Sequence, residues 1–304
     1  MSLLEKFNIF SQNLLSDKTK RKSEVIILNV AIVSFLIHLL IIYLVHFNII
    51  SLNTNSNLLK NPIAAIYTPF SFILVYEVYL LTYYLPKSIT TYISKQYEII
   101  TLIIIRRLFK DLSTLSLSSD WFKIKYDLQF TYDLVASIVL FFLIYLFYKE
   151  SKKRYRTSEN EKHQIVGIAR FIEIKKILAA FLVIVIIFLA LYSFQNWFVG
   201  AINLSADSSV SFSNINNIFF EQFFTILIIV DVILLLFSFF HTDEFHKVIR
   251  NSGFIISTIL IRISFSVSGL INTVLIVSAI IFGLLILFIY NKFELYISRE
   301  EKIV

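Results

Sequence analysis

Residues 73–85 read ILVYEVYLLTYYL, an apolar run that is interrupted by one carboxylate, Glu77. The next apolar run, residues 97–107, reads YEIITLIIIRR and ends in Arg106 and Arg107. A charge deep in hydrocarbon costs several kcal/mol unless it is paired or hydrated, so ionisable residues inside membrane segments are candidate functional groups. The order of acid and then arginine on neighbouring apolar segments predicts a membrane bundle that holds charge near its centre.

The same order occurs a second time, later in the chain. Asp231 interrupts ILIIVDVILLLFSFF at residues 226–240, and Arg262 lies inside GFIISTILIRISFS at residues 253–266. The strings IITLIIIRRLF and IISTILIRISF, which surround Arg106 and Arg262, align without a gap. This recurrence indicates an internal duplication, although chance similarity between isoleucine-rich helices would explain it too.

The composition is that of a membrane protein. The chain has 304 residues, of which 57% are hydrophobic and only 16% are charged, whereas soluble domains are about a quarter charged. It has no cysteine, which excludes disulfides, thiolate metal ligands and cysteine nucleophiles. We recognise no phosphate-binding loop, dinucleotide fingerprint or nucleophile elbow, so we expect no cofactor, no nucleic-acid partner and no enzymatic activity.

Eight hydrophobic segments can be drawn, because a spanning helix needs about 20 apolar residues. They lie near residues 25–48, 62–85, 96–109, 132–148, 177–198, 219–240, 252–266 and 270–291. The third and seventh segments are short for a span, and they are either tilted into the bundle interior or re-entrant. A tight turn at Ser266-Val267-Ser268-Gly269 is expected to separate the last two segments.

The distribution of basic residues predicts the topology. With the N-terminus inside, the inner segments carry 21 Lys and Arg and the outer segments carry 4. That asymmetry follows the positive-inside rule and makes the net charge of +7 a signal of topology. We therefore predict an all-α, polytopic protein of the cell (inner) membrane with about eight transmembrane helices and both termini cytoplasmic.

Five regions follow from this reading. Residues 1–24 form a cytoplasmic, amphipathic and basic N-terminal segment, and residues 293–304 form a cytoplasmic tail. Residues 25–150 and 177–292 are two four-helix membrane repeats, which are parallel because an even number of helices restores the orientation. The basic stretch at residues 151–176 is a cytoplasmic linker and a candidate contact for a cytoplasmic or membrane protein partner.

Depth arithmetic shows that each acid can meet its arginine. At about 1.5 Å of rise per residue, Glu77 lies about 12 Å and Arg106 about 15 Å from the inner ends of their helices. Asp231 and Arg262 lie about 13 Å and 15 Å in by the same rule. Both pairs thus come close to the middle of a roughly 30 Å core. Since adjacent helical residues differ by about 100°, Arg106 and Arg107 cannot both face one partner, and one of them is expected to face water or the membrane surface.

The first half resembles a voltage-sensor-type four-helix domain over residues 25–150. Such domains carry one acid on the second helix and another at the start of the third, the positions of Glu77 and Glu98 here. The inner loop between those helices is basic and flanked by aromatic residues, as Tyr92 and Lys95 are. The fourth segment, YDLVASIVLFFLIYLFY, lacks the arginine ladder that works against membrane potential. The resemblance therefore implies a sensor-like scaffold without voltage gating.

Two functions fit these patterns. The first is a channel-like or transporter-like protein that passes a small ion or solute through the lipid bilayer. The second is a structural or regulatory membrane subunit whose ion pairs only fix helix packing, because removing one partner would strand the other in low dielectric. The candidate site residues for the first function are Glu77, Arg106, Asp231 and Arg262, with Arg107 and Glu98 secondary.

A third alternative is a membrane metalloenzyme that uses HTDEFH at residues 241–246. Imidazoles and carboxylates suit zinc or iron, and the spacing of His241 and His246 could place both near one helix face. Membrane di-iron enzymes need several such boxes, and the chain has only five histidines. A hydrated loop is the favoured interpretation of this segment, and no metal ligand is assigned.

Overall fold

The chain folds into long α-helices in the part that the computed structural model describes, residues 12–49, 62–112, 125–153, 164–202, 212–240, 244–267 and 269–300. Those ranges contain no β-strand, in agreement with the predicted all-α class. The helices are α1 (Asp17–His46), α2 (Tyr67–Tyr84), α3 (Ile89–Leu112), α4 (Lys125–Ser151), α5 (Gln164–Ile202), α6 (Phe212–Phe239), α7 (Phe245–Ser264) and α8 (Leu270–Glu300), with a short 3-10 helix before α2 (Pro62–Ile66).

Five stretches are long and apolar enough to cross a membrane: Asp17–His46, Asp127–Ser151, Phe171–Tyr192, Gln222–Phe239 and Leu270–Arg299. They belong to α1, α4, α5, α6 and α8. Their apolar side chains remain outside the protein core to a large extent, as with Phe141 of α4, which is 74% exposed. Such surfaces are stable against lipid and unfavourable in water. This exposure is what a multi-pass membrane protein requires.

The polar ends of several helices extend beyond the predicted segments. The helix α3 begins at Ile89, inside the expected inner loop, and the Ser88 hydroxyl accepts a hydrogen bond from the Thr91 amide at 3.3 Å. Similarly, α5 begins at Gln164, so residues 164–176 of the predicted linker are helical. Residues 154–163 of that linker lie outside the described part of the chain. Hydropathy misses these extensions because helical turns in water need not be apolar.

The expected break between the last two helices is confirmed. The helix α7 ends at Ser264 and α8 begins at Leu270, and Gly269 has a φ of 80°, in the left-handed region that glycine adopts without strain. The Asn272 side chain of α8 donates a hydrogen bond to the Ser264 carbonyl at 2.5 Å. This bond satisfies one of the carbonyls that a helix end leaves open.

The chain divides into two compact units. The first contains Met1–Tyr83, Leu102–Asp133 and Ala180–Phe223, and the second contains Tyr84–Thr101, Leu134–Ala179 and Phe224–Val304. Each unit therefore takes residues from both halves of the sequence. An aromatic core in the second unit packs Tyr97 edge-on against Phe147, at 5.1 Å between ring centroids, and Phe147 against Phe254 at 5.7 Å. This core fixes the Tyr97 region of α3 against α4 and α7.

Candidate functional site

The first unit brings Glu77 of α2 and Arg106 of α3 together. Arg106 Nη2 lies 2.9 Å from Glu77 Oε2, and the side chains are only 11% and 6% exposed, respectively. Arg106 Nη1 also donates to the Phe70 carbonyl at 3.2 Å. The guanidinium therefore joins the carboxylate of α2 to the backbone of the same helix. Pairing of this acid with this arginine is what the depth arithmetic expects.

Arg107 has an acid of its own, Asp133 of α4. Its Nε and Nη2 donate to the two Asp133 carboxylate oxygens at 2.5 and 2.6 Å, and Gln129 Nε2 adds a third bond at 3.0 Å. Both arginines thus have a carboxylate partner, whereas the sequence predicts that one of them faces water or the membrane surface. Its side chain is 27% exposed, and Asp133 is completely buried. Bidentate guanidinium–carboxylate contacts are among the strongest charged hydrogen bonds.

The second unit brings Asp231 of α6 and Arg262 of α7 together. Arg262 Nη2 lies 2.7 Å from Asp231 Oδ2, with side chains 2% and 0% exposed, respectively. This pair is more completely enclosed than the pair of Glu77 and Arg106. Burial removes both ions from water, so the contact persists only where the geometry and further hydrogen bonds offset the desolvation.

Those further hydrogen bonds come from α3. Tyr92 donates its hydroxyl proton to Asp231 Oδ1 at 2.8 Å, and Arg262 Nη2 donates to Gln96 Oε1 at 2.8 Å. Tyr92 and Gln96 are four residues apart and so share one helical face. In the topology predicted from sequence, Tyr92 lies in an inner loop, and Gln96 is not among the candidate site residues. The four-residue spacing of two polar groups is the signal that could have found them.

A second cation, Lys175 of α5, belongs to the same unit. Lys175 is only 8% exposed, its Nζ donates to the Lys87 carbonyl at 3.2 Å, and it attracts Asp231 electrostatically. Nζ also lies 4.7 Å from the centroid of the Phe171 ring. In the organisation predicted from sequence, Lys175 is one of the basic residues of the cytoplasmic linker at residues 151–176. Here the helical start of α5 carries it into the protein instead.

Two donors in this cluster are buried without an acceptor among the described residues. They are Arg262 Nη1 and Gln96 Nε2. Leaving a buried donor without a partner costs about 1–3 kcal/mol, and more for a charged group. We call the set of Tyr92, Gln96, Lys175, Asp231 and Arg262 the Asp231 cluster.

Glu98 has partners of a different kind. The Glu98 carboxylate accepts two hydrogen bonds from Lys95 Nζ, at 2.7 and 2.9 Å, and one from the Tyr148 hydroxyl of α4. The Glu98 and Lys95 side chains are about one third exposed, at 32% and 29%. An ion pair of that exposure contributes little to stability, because water screens it. Glu98 is therefore a weaker candidate than the enclosed acids.

The segment HTDEFH is described only in part, since His241 and Asp243 lie outside the described residues. His246 Nε2 lies 3.1 Å from Glu294 Oε1 on α8 and 3.3 Å from Glu244 Oε2. Within the described ranges, no group of three or more His, Cys, Asp or Glu side chains is arranged to hold a metal ion. His246 here joins the start of α7 to α8.

No protein-family model, curated protein or solved structure matches the chain. The Asp231 cluster holds one carboxylate and two cations among its described side chains, and all three residues are buried. Such a group can bind a charged or polar species of small size, and it can equally hold helices in register.

Proposed function

We propose that the chain is a multi-pass membrane protein that passes a small ion or solute, and that the acid–arginine pairs line its path. The Asp231 cluster is the observation that carries this proposal. A pair alone would suffice to join two helices, whereas the cluster adds a buried lysine and two donors that no described acceptor satisfies. Intramembrane ionisable groups that face a bundle interior typically mark ion and substrate pathways.

The architecture that we propose has eight spans, cytoplasmic termini and a location in the cell (inner) membrane. Residues 25–150 and 177–292 form two parallel repeats in this proposal. Each half contains a helix with a buried acid followed by a helix with the arginine that contacts it, and this recurrence supports the proposal. The contact distances are 2.9 Å between Glu77 and Arg106 and 2.7 Å between Asp231 and Arg262. The loop charges support the orientation. The sensor-like scaffold of the first half stays a prediction about architecture.

Flux measurements test the function directly. Full-length protein is reconstituted into liposomes, and the fluxes of protons, Na⁺, K⁺ and Cl⁻ are followed with entrapped dyes. We expect flux of at least one of these ions, and a loss of about tenfold or more in Asp231→Asn and in Glu77→Gln. Both substitutions keep the shape of the side chain and remove the charge that faces the arginine.

Glu244→Gln is the matched control. The Glu244 side chain is 41% exposed, and its contacts with Lys247 and His246 lie within one helical turn. We expect its flux to equal that of the unmodified protein. The thermal unfolding midpoint of every variant is measured in the same detergent. A loss of flux in well-folded Asp231→Asn supports the proposal, and normal flux in that variant contradicts it.

The structural or regulatory subunit is the second candidate, and the enclosure of the charges favours it. Arg106 and Arg107 bind acids on two different helices, so that α3 is fixed to α2 and to α4 at once. Such a subunit would act through a partner bound at residues 151–176. It predicts no flux above that of empty liposomes, together with marked destabilisation when either acid is neutralised.

A further inference from the structure

The charges of the Asp231 cluster are unequal. Its described side chains supply one carboxylate, from Asp231, and two cations, from Arg262 and Lys175. Asp231 Oδ1 accepts a hydrogen bond from Tyr92, and Oδ2 lies 2.7 Å from Arg262 Nη2 as an ion pair without hydrogen-bond geometry. The second cation relies on the Lys87 carbonyl, which is a dipole without net charge. An excess positive charge inside an enclosed site favours the entry of an anion.

The two donors without acceptors belong to Arg262 and Gln96, whose side chains hydrogen-bond to each other. Arg262 Nη2 donates to Gln96 Oε1 at 2.8 Å, which fixes the amide with its oxygen toward the guanidinium. Gln96 Nε2 must then point away from that bond, as a donor. Arg262 Nη1 is the second donor, and both nitrogens are fully buried. Gln96 is 3% and Arg262 is 4% exposed as whole residues.

We propose that Arg262 Nη1 and Gln96 Nε2 bind one small monovalent anion, with Lys175 balancing its charge. The ligand class is that of chloride or a short carboxylate, because one net charge and two N–H donors match one compact acceptor. A cation would face two donors and two positive charges. This proposal rests on the proposed function and names its substrate class, since the anion would occupy the path lined by Asp231 and Arg262.

Anion-dependent stability tests the site without relying on flux. The unfolding midpoint of the full-length protein in detergent is followed while NaCl replaces sodium gluconate at constant ionic strength. A ligand that binds only the folded state raises the midpoint in proportion to the logarithm of its concentration. We expect a rise of about 4 °C at a hundred times Kd. Sodium acetate in place of NaCl shows whether a short carboxylate binds as well as chloride.

Gln96→Glu is the decisive variant. The new carboxylate keeps the oxygen that accepts from Arg262 and supplies the negative charge that the anion would bring. We expect this variant to fold, to unfold at or above the midpoint of the unmodified protein in gluconate, and to lose the chloride dependence. Thr91→Glu is the control, since it adds the same charge to the same helix at an exposed position. That control substitution would complete a capping box with Ser88, and the chloride dependence should remain.

Four results decide between the anion site and the transport function. No anion dependence in the unmodified protein, or equal dependence in Gln96→Glu, overturns the anion site and leaves water as the acceptor for both donors. Chloride binding that Gln96→Glu abolishes, without flux of any tested ion, supports the site and removes the transport function. Cation flux that is indifferent to chloride keeps the transport function and overturns the anion as its substrate.

Discussion

Arg106 and Arg107 are adjacent in sequence, yet each binds an acid on a different helix. Consecutive residues of an α-helix point about 100° apart, so one arginine faces α2 and the other faces α4. The depth of an arginine follows from counting residues, and this is why Glu77 and Arg106 can be paired from sequence. The rotation of a helix about its axis does not follow from counting, which is why the sequence does not reveal Asp133 as the partner of Arg107.

Asp133→Asn is expected to destabilise the protein by about 1–3 kcal/mol. The carboxylate is completely buried and holds two bonds from Arg107, and its removal leaves a partly buried guanidinium without its partner. The measurement is the unfolding of the purified protein in detergent, followed by circular dichroism.

Glu244→Gln provides the comparison at an exposed ion pair, where the expected change is under about 1 kcal/mol. Equal midpoint shifts in the two variants would show that the bond between Arg107 and Asp133 contributes no more than a surface pair. A larger shift in Asp133→Asn would identify it as a constraint on α3 and α4.

Among the secondary-structure elements, α3 contributes side chains to the Asp231 cluster and to the ion pairs of Glu77 and Asp133. Its residues Tyr92 and Gln96 belong to the Asp231 cluster in the second unit, and Arg106 and Arg107 form ion pairs in the first. The hydrophobic segments in the sequence locate the eight described α-helices. They do not locate the polar helical ends, because hydropathy identifies apolar segments and does not detect helical turns that continue into water.

The number of spans is a prediction at this scale, and it depends on whether α2, α3 and α7, which are not among the five candidate spans, cross the membrane. The cysteine-free chain permits single-cysteine labelling with a membrane-impermeant maleimide in intact cells. With eight spans, Leu112→Cys at the end of α3 and Val267→Cys after α7 are labelled from outside, and Lys152→Cys after α4 is protected. Protection of Leu112→Cys or Val267→Cys in intact cells, with labelling after lysis, would mean that the helix before the substituted position does not cross.

At the scale of the whole molecule, the two acid–arginine pairs belong to different compact units. Glu77 and Arg106 lie in the first unit, and Asp231 and Arg262 lie in the second. The predicted repeats, in contrast, are consecutive halves of the chain, and both units take residues from each half. A duplication in sequence and a division in space need not coincide, because helices of one repeat can pack against helices of the other. The contacts of α3, from the first half, with Asp231 and Arg262, from the second, are of this kind.

Exchange of the two charges in the pair of Glu77 and Arg106 distinguishes a role in a transport path from a role in helix packing alone. Glu77→Arg and Arg106→Glu are made singly and together, and unfolding and ion flux are measured on the same preparations. Each single variant places two like charges in one enclosed site and is expected to unfold at a lower temperature. The double variant restores the opposite charges and is expected to recover most of the midpoint.

Ion flux in that double variant shows whether the pair of Glu77 and Arg106 lines a path or only fixes helix packing. If the pair lines a path, the reversed field changes passage of the ion, and flux stays at least about tenfold below that of the unmodified protein although the fold has recovered. Recovery of both the unfolding midpoint and the full flux would contradict the proposal that the pair lines a path, because the pair would then serve packing alone.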